Sequence, residues 1–429
     1  MVDIRPFKAT VLNPELDIDK LICPVYDTID ATNYQRFARE RNNIIHVTTR
    51  RKDMDRDEFI GYAKENLDRL IDSKVLVERE KPALYIYGIK YTVQPEILIQ
   101  IPEEDRESQY FALGLVCLVR VEELGARNIA GHENVFEINT KERYRLMKAC
   151  MMNFSPIAVE YSMSDHGLNN ILKEYLGFKR SASGAPDKPP LVDAALNGSR
   201  HLLWEIADEN LIEKIMNMVS DLKILILDGH HRYTASCLMK ETDGIEYTVM
   251  MLMESDDRAL LLLPWHRAIR NFSIQNLEHK IKEKFSIEWQ SEEYSEEFYA
   301  QLRERKSEYD IRIGMYDGKR FSVLRADEKA VQELLKQHRE GVGIDLMVLH
   351  NWLINPVIKK PEEDVSFNAS PAEAISRVRS REFDVAFFLN PLSIRDVERK
   401  AFVERNNFPQ KSTLFLPKVA EGIVMRSIK

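Results

Sequence analysis

The chain has 429 residues, enough for two or three domains, and its 44% apolar content supplies real cores. With 69 acidic against 61 basic side chains the net charge is −8, so bulk attraction to nucleic acid is not expected. No apolar run approaches the ~18 residues of a membrane helix, and the start MVDIRPFKAT lacks the basic and apolar blocks of a signal peptide.

Taken in chain order, strand-like runs alternate with helical ones, which defines a mixed α/β class. Phe59–Ser73 carries helical periodicity. Tyr85–Thr92 (YIYGIKYT) and Tyr110–Leu118 (YFALGLVCL) read as strands of one sheet. His132-Glu133 follows strand-like sequence and a small-residue turn, Ala130-Gly131. SASGAPDKPP (181–190) is the clearest loop, and Leu211–Met218 reads as a helix. Beyond about Trp265 the pattern restarts. Ile274–Phe285 is helical, and Ile311–Leu324 reads as a hairpin turning at Asp317-Gly318. Helices over Ala330–His338 and Leu346–Asn355 and a strand over Asp384–Leu389 complete the series. The expected division is 1–268 and 269–429.

The stretch KILILDGHHRYTASCLMK (223–240) stands apart. Lys223–Leu227 has no polar alternation and predicts a strand buried on both faces. Thr234, Ala235, Leu238 and Met239 predict a helix. Gly229 therefore sits at a strand-to-helix turn, where the missing Cβ permits a sharp reversal or close approach to a ligand. Asp228, His230, His231 and Arg232 crowd the first helical turn, whose free N–H groups and dipole suit a phosphate. The plain alternative is Asp228 as an N-cap. GxxxxGK[ST] and HExxH are both absent, and Gly341-Val342-Gly343 lacks a third glycine, so a P-loop and a dinucleotide fingerprint are not expected. Cys23, Cys117, Cys150 and Cys237 are scattered, with no CxxC pair, and read as reduced thiols in a cytoplasmic protein.

DGHHRYTA (228–235) resembles the signature of the ParB/sulfiredoxin superfamily. Further stretches resemble one family within it whose members of known activity are serine kinases: IRPFKA (4–9), PVYD (24–27), NNIIHVT (42–48), His132-Glu133 with Arg143 eleven residues after the histidine, and NFSPI (153–157). LPWHR (263–267), DLMVLH (345–350), LNP (389–391) and PQKSTLFLPK (409–418) extend the likeness. The resemblance implies a ParB/sulfiredoxin-like catalytic core with a second α/β domain. It also implies phosphorylation of free L-serine, with pyrophosphate, ADP or ATP as donor. The chain departs from the family at Cys23, Val135, Asn139 and Glu142, where proline, threonine, a basic residue and aspartate are usual.

Such a transfer needs a phosphate cradle, charge neutralisation, an oriented acceptor and a carboxylate near its proton. The N–H groups after Gly229, with Arg232, form the expected cradle. Adjacent helical positions diverge by about 100°, so one of His230 and His231 is expected to face the phosphate while the other braces the turn; the helix N-terminus keeps both neutral. Asp228 is placed to hold Mg²⁺ or accept the serine proton, and Glu133 to act as base or metal ligand. The preferred assignment is Glu133 as base and Asp228 on the metal side. Arg143 is expected to clamp phosphate or the amino-acid carboxylate, and Asp27, beside Tyr26, to bind the ammonium. His266, Arg267 and Lys411 add positive charge for the donor. His350 is expected to be a packing residue. Two other classes compete: a ParB-like nucleotide-binding DNA-associated switch, which calls for a basic stripe or a helix-turn-helix, and a non-catalytic binder of a phosphorylated metabolite.

Overall fold

The apolar runs YIYGIKYT and YFALGLVCL lie side by side as antiparallel strands, Leu84–Tyr91 and Tyr110–Arg120, with Tyr85 opposite Val116. The structure, a computed structural model, describes residues 2–123, 126, 128–178, 186–337, 343–358, 361–405, 407–408 and 411–428. These two strands sit inside a nine-stranded sheet. Its order is Val192–Leu196, Ser199–Ile206, Leu84–Tyr91, Tyr110–Arg120, Tyr247–Glu254, Ile157–Tyr161, Ile224–Asp228, Ile129–Ala130, with Ile4–Arg5 paired onto Tyr110–Arg120. Tyr247–Glu254 and Ile157–Tyr161 run parallel, as do Ile224–Asp228 and Ile129–Ala130, so the sheet is mixed.

The ILIL run behaves as its composition demands. Ile224 and Ile226 join a core with Leu84, Leu115 and Val159, and with Leu172 and Ile215 from the helices Gly167–Tyr175 and Glu209–Val219. Leu225 and Leu227 are buried too, so both faces of this strand are covered. Helix Arg56–Asp72 contains most of the periodic stretch seen in sequence.

Two units result. The first comprises Met1–Thr92, Gln109–Leu261 and Pro417–Lys429; the second comprises Val93–Ser108 and Leu262–Leu416. This division is not the contiguous split at 268/269 expected from the pattern. Met425–Ser427 pairs with both Ala9–Leu12 and Met152–Asn153, which ties the C-terminal segment into the first unit. Such a pairing spans hundreds of residues and has no local signature.

The second unit has its own antiparallel sheet, ordered Phe285–Ser291, Phe321–Ala326, Arg312–Tyr316, Val385–Phe388, His266–Ile269, Val365–Asn368. The hairpin turns where expected, with Gly318 at φ +88°. Helices Ile274–Lys284 and Glu328–Gln337 match the periodic stretches, although His338 lies outside the described residues. Ile344–Val348 continues as a π-helix over Leu349–Ile354, where a single helix was expected. Ser181–Ala185 of the expected loop, and Gly341 and Val342, also lie outside the described residues. Among the described residues no helix is long and apolar enough to cross a membrane, and the four cysteines form no disulfide.

Ile226 is fully buried beside the turn that carries the polar cluster. Ile226→Ala should destabilise the first unit by about 2–5 kcal/mol, the usual cost of such a cavity. Urea denaturation followed by circular dichroism measures this.

Candidate active site at the strand–turn–helix

The strand Ile224–Asp228 ends in a register shift between Ile226 and Asp228, which leaves Leu227 as the extra residue and re-aims the strand end. Gly229 follows at φ +95° and starts the helix His230–Asp243. A Cβ at Gly229 would lie 2.9–3.0 Å from the Arg232 guanidinium, so the backbone could not reverse this closely over that side chain with any other residue. Asp228 does not cap the helix; Gly229 takes the N-cap position, without a side-chain cap bond.

Asp228 is instead the centre of an ion cluster. Its Oδ2 accepts from Arg232 Nη2 at 2.9 Å and its Oδ1 from Lys418 Nζ at 2.5 Å. Burial opposes ionisation of this carboxyl, but Lys418 and Arg232 outweigh it and hold its pKa well below the usual carboxylate range. Burial likewise works against the Lys418 ammonium, yet Asp228, Asp27 and Glu133 together raise its pKa. Lys418 is thus bonded to Asp228 and feels the charge of carboxylates on two further segments. It was not singled out in sequence. The stretch PQKSTLFLPK pointed to the right region, but Lys411 was the lysine chosen; Pro409 and Gln410 of that stretch lie outside the described residues.

Both terminal nitrogens of Arg232 are engaged below the turn. Its Nη1 donates to Ser155 Oγ at 2.7 Å and to the Pro156 carbonyl at 2.8 Å, while Nη2 serves Asp228. Only Nε lacks a partner. The expected phosphate clamp is therefore, in this geometry, a strut between the turn and the NFSPI segment.

The paired histidines also differ from expectation. His230 Nε2 accepts the backbone N–H of His132 at 3.3 Å, and His231 Nε2 accepts that of Phe136 at 3.1 Å. A ring nitrogen that accepts an N–H carries no proton, so in each neutral ring the proton is on Nδ1. Both histidines thus brace the loop 132–136, which presents Glu133, where one was expected to face phosphate. His132 donates from Nδ1 to the Ile226 carbonyl at 2.8 Å and packs edge-on against His230, with ring centroids 4.6 Å apart. Burial is the main reason His230 is held well below its ordinary pKa and His132 is pushed down to about 4; the expected helix dipole is not the leading cause.

Arg143 lies in helix Glu137–Cys150 and donates to the Thr48 carbonyl at 2.7 Å and to Glu142 at 2.8 Å. Glu142 also accepts from Arg50 and Arg56, so it anchors Arg143 where the family usually has aspartate. The Arg143 guanidinium stacks 4.1 Å from the Tyr26 ring centroid, and Asp27 follows, exposed, in the short helix Tyr26–Thr28. Glu421 was missed as well. It pairs in a two-stranded ladder with Cys23, and is buried near Arg232.

His266, Arg267 and Lys411 belong to the second unit. His266 is buried against Gln100, 2.8 Å from its Oε1, and burial pushes its pKa down to about 3. Arg267 is buried, donating to the carbonyls of Trp265 and Lys411, the latter at 3.1 Å. Lys411 is exposed, with its ammonium 4.6 Å from the Trp265 ring centroid. These contacts lie within the second unit. His350 is half-buried on the π-helix, with its Nε2 buried and unpaired.

The expected Mg²⁺ site at Asp228 does not fit this arrangement. Both carboxylate oxygens are occupied by cations, and among the described residues no group of three His, Cys, Asp or Glu side chains is poised around one point.

The fold and site define a mixed α/β protein with a polar cluster at a strand–turn–helix. The chain belongs to the family described as "Protein of unknown function (DUF1015)", which matches residues 4–342. No curated protein matches. Among solved structures, a free serine kinase in complex with AMP aligns at 12% identity over 71% of this chain and 94% of its own, with a TM-score of 0.33. A C-terminally truncated SbnI from Staphylococcus aureus aligns at 12% identity over 71% and 85%, with a TM-score of 0.36. A conserved hypothetical protein from Pyrococcus furiosus aligns at 12% over 69% and 91%, with a TM-score of 0.32.

The buried histidines set a pH dependence. Free histidine titrates near 6.5, and in the fold His132 titrates at about 4 with His230 also lowered. A folded pKa below the unfolded one means the unfolded chain takes up protons first on acidification. Their contribution is complete above about pH 6.5 and is lost as pH falls towards about 4. Asp228, also depressed, contributes in full above its unfolded value near 3.8 and loses that contribution only below it, outside this window. Denaturation at pH 7, 6 and 5 should show falling stability, with a shallower slope in His230→Gln; a flat wild-type profile would contradict this.

Proposed function

We propose that the cluster transfers a phosphoryl group from pyrophosphate or a nucleotide (ADP or ATP) to the hydroxyl of free L-serine. The observation that carries this reading is the ion pair of Asp228 with Lys418 beside the first turn of the DGHHR helix, with Asp27 and Glu133 adding to the field at the ammonium. A helix N-terminus supplies N–H donors for phosphate oxygens, and a lysine beside it supplies a point charge. The sequence resemblance to serine kinases supplies the acceptor.

In this mechanism the donor's phosphate lies over the N–H groups after Gly229, with Lys418 neutralising it. The serine Oγ–P bond forms as the donor's P–O bond breaks, releasing inorganic phosphate from pyrophosphate or the shorter nucleotide from a nucleotide. The hydroxyl proton passes to Glu133. Asp228 is the poorer base, because a carboxylate held so far below its usual range has little affinity for a proton. Its part is to fix Lys418, while Arg232 fixes Asp228. His230 and His231 hold the loop that carries Glu133.

A screen of serine, threonine and homoserine against pyrophosphate, ADP and ATP tests the reading, with O-phosphoserine the expected product. Glu133→Gln should then retain donor binding while kcat falls by about 10²–10⁴, the usual contribution of a general base. Lys418→Met should raise the donor KM and leave serine binding in place. Normal turnover in Glu133→Gln with a dead Asp228→Asn would exchange the two carboxylate roles.

A further inference from the structure

A depression in the first unit narrows to room for about 30 Å³ of water, within about 390 Å³ of empty space once its open mouth is counted. Four buried polar atoms without a hydrogen-bond partner belong to side chains that line it: Arg143 Nε, Arg232 Nε, Asn153 Oδ1 and Glu421 Oε2. The parent residues are 4%, 9%, 6% and 2% exposed. Four side chains that line one small space each keep an unpaired buried polar atom, and a polar ligand that reaches them would remove that cost.

The mixture of atoms limits what that ligand is. A simple anion would meet the guanidinium groups but face the Glu421 carboxylate. A simple cation would meet Glu421 and Asn153 but face two arginines. A zwitterion satisfies both sets, and an α-amino acid carries its two charges on one carbon, as so small a space requires. The arginine end is prearranged: Arg143 is fixed by Thr48 and Glu142 and stacked on Tyr26. The acidic end is prearranged as well. Ser155, which accepts from Arg232, also hydrogen-bonds the Glu421 carboxyl.

We propose that Glu421 reads the α-ammonium group of a free amino acid whose carboxylate is taken by Arg143, which makes this space the acceptor's selectivity pocket. The proposal rests on the phosphotransfer reading for the choice of serine, but the zwitterion rests on the pocket alone. Asn153 supplies a second acceptor for the ammonium. Burial raises the Glu421 pKa, and an ammonium at its free oxygen would reverse that. The previously expected ammonium ligand, Asp27, is exposed and is replaced in that role.

Calorimetry on the full chain without donor tests the pocket independently of turnover. The ligands are L-serine, L-glycerate (in which a hydroxyl replaces the ammonium) and L-serine amide. Wild type should prefer L-serine over L-glycerate by about tenfold or more, the scale of one charge-assisted hydrogen bond. In Glu421→Gln that preference should collapse towards unity, while any L-glycerate binding is unchanged. A loss of all ligands together would mark a merely structural role and overturn the assignment. Should Glu421→Gln not fold, the wild-type ligand series decides by itself: equal affinity for serine and glycerate, or binding of neither, overturns the proposal and leaves a buried water as the occupant. Phosphoserine formation with an unchanged serine-to-glycerate ratio in the variant would sink the pocket and leave the phosphotransfer reading standing. Serine binding that depends on Glu421 without phosphoserine formation would do the reverse.

Discussion

The buried carboxylate of Asp228, held between Arg232 and Lys418, is the constraint on which the rest of the site depends. A charge taken out of water must be paired, and removing one partner of such a pair typically costs about 3–5 kcal/mol. The pairing therefore dictates geometry around it. Arg232 can reach Asp228 only by folding back beneath the turn, which requires a residue without Cβ at 229. The same guanidinium then fixes Ser155 and Pro156, so the segment before strand Ile157–Tyr161 is set by the turn. Lys418 brings in the C-terminal segment, whose Met425–Ser427 strand closes the small sheet with Ala9–Leu12. Stretches some two hundred residues apart in the chain thereby meet at one carboxylate.

Much of this was legible in the sequence wherever the cause was local. The ILIL run declared a strand covered on both faces, Gly229 declared the reversal, and the periodicity after Thr234 declared the helix. The mixed α/β class followed from the same alternation. What was not legible was the partner of each charge. Asp228 before a helix looks like a cap or a metal ligand until a lysine 190 residues later is seen on it. Arg232 looks like a phosphate clamp because its donors are many; their use on Ser155, Pro156 and Asp228 is a tertiary fact. Glu421 sits in AEGIV with no pattern to mark it. Its importance comes from ladder pairing with Cys23, which no window of sequence contains.

The second unit teaches the same lesson in reverse. His266 and Arg267 stand in a motif-like stretch, LPWHR, and were credited with charge for the donor. Yet a strand residue's side chain must go to one face or the other, and in His266–Ile269 both are buried. His266 is met by Gln100, and Arg267 by main-chain carbonyls. A buried histidine pushed down to about 3 carries no charge at neutral pH. Polar identity in a sequence records that a group needs a partner; it does not record that the partner is a ligand.

The two site carboxylates illustrate why, in the proposed phosphotransfer, one group cannot take both tasks. The stronger the cations that hold Asp228, the lower its pKa and the poorer a proton acceptor it becomes. Loosening those contacts to make it basic would free Lys418 and unmoor the turn. A base must therefore come from another segment, near enough to feel Lys418 but not saturated by it. Glu133, the base proposed above, acts electrostatically on Lys418 from a loop that is tethered separately by the imidazoles of His230 and His231. The tether uses acceptor nitrogens, so it holds only while both rings are neutral, and burial keeps His230 in that state far below neutrality. The paired histidines of the motif thus tie the loop that carries Glu133 to the helix that starts after Gly229.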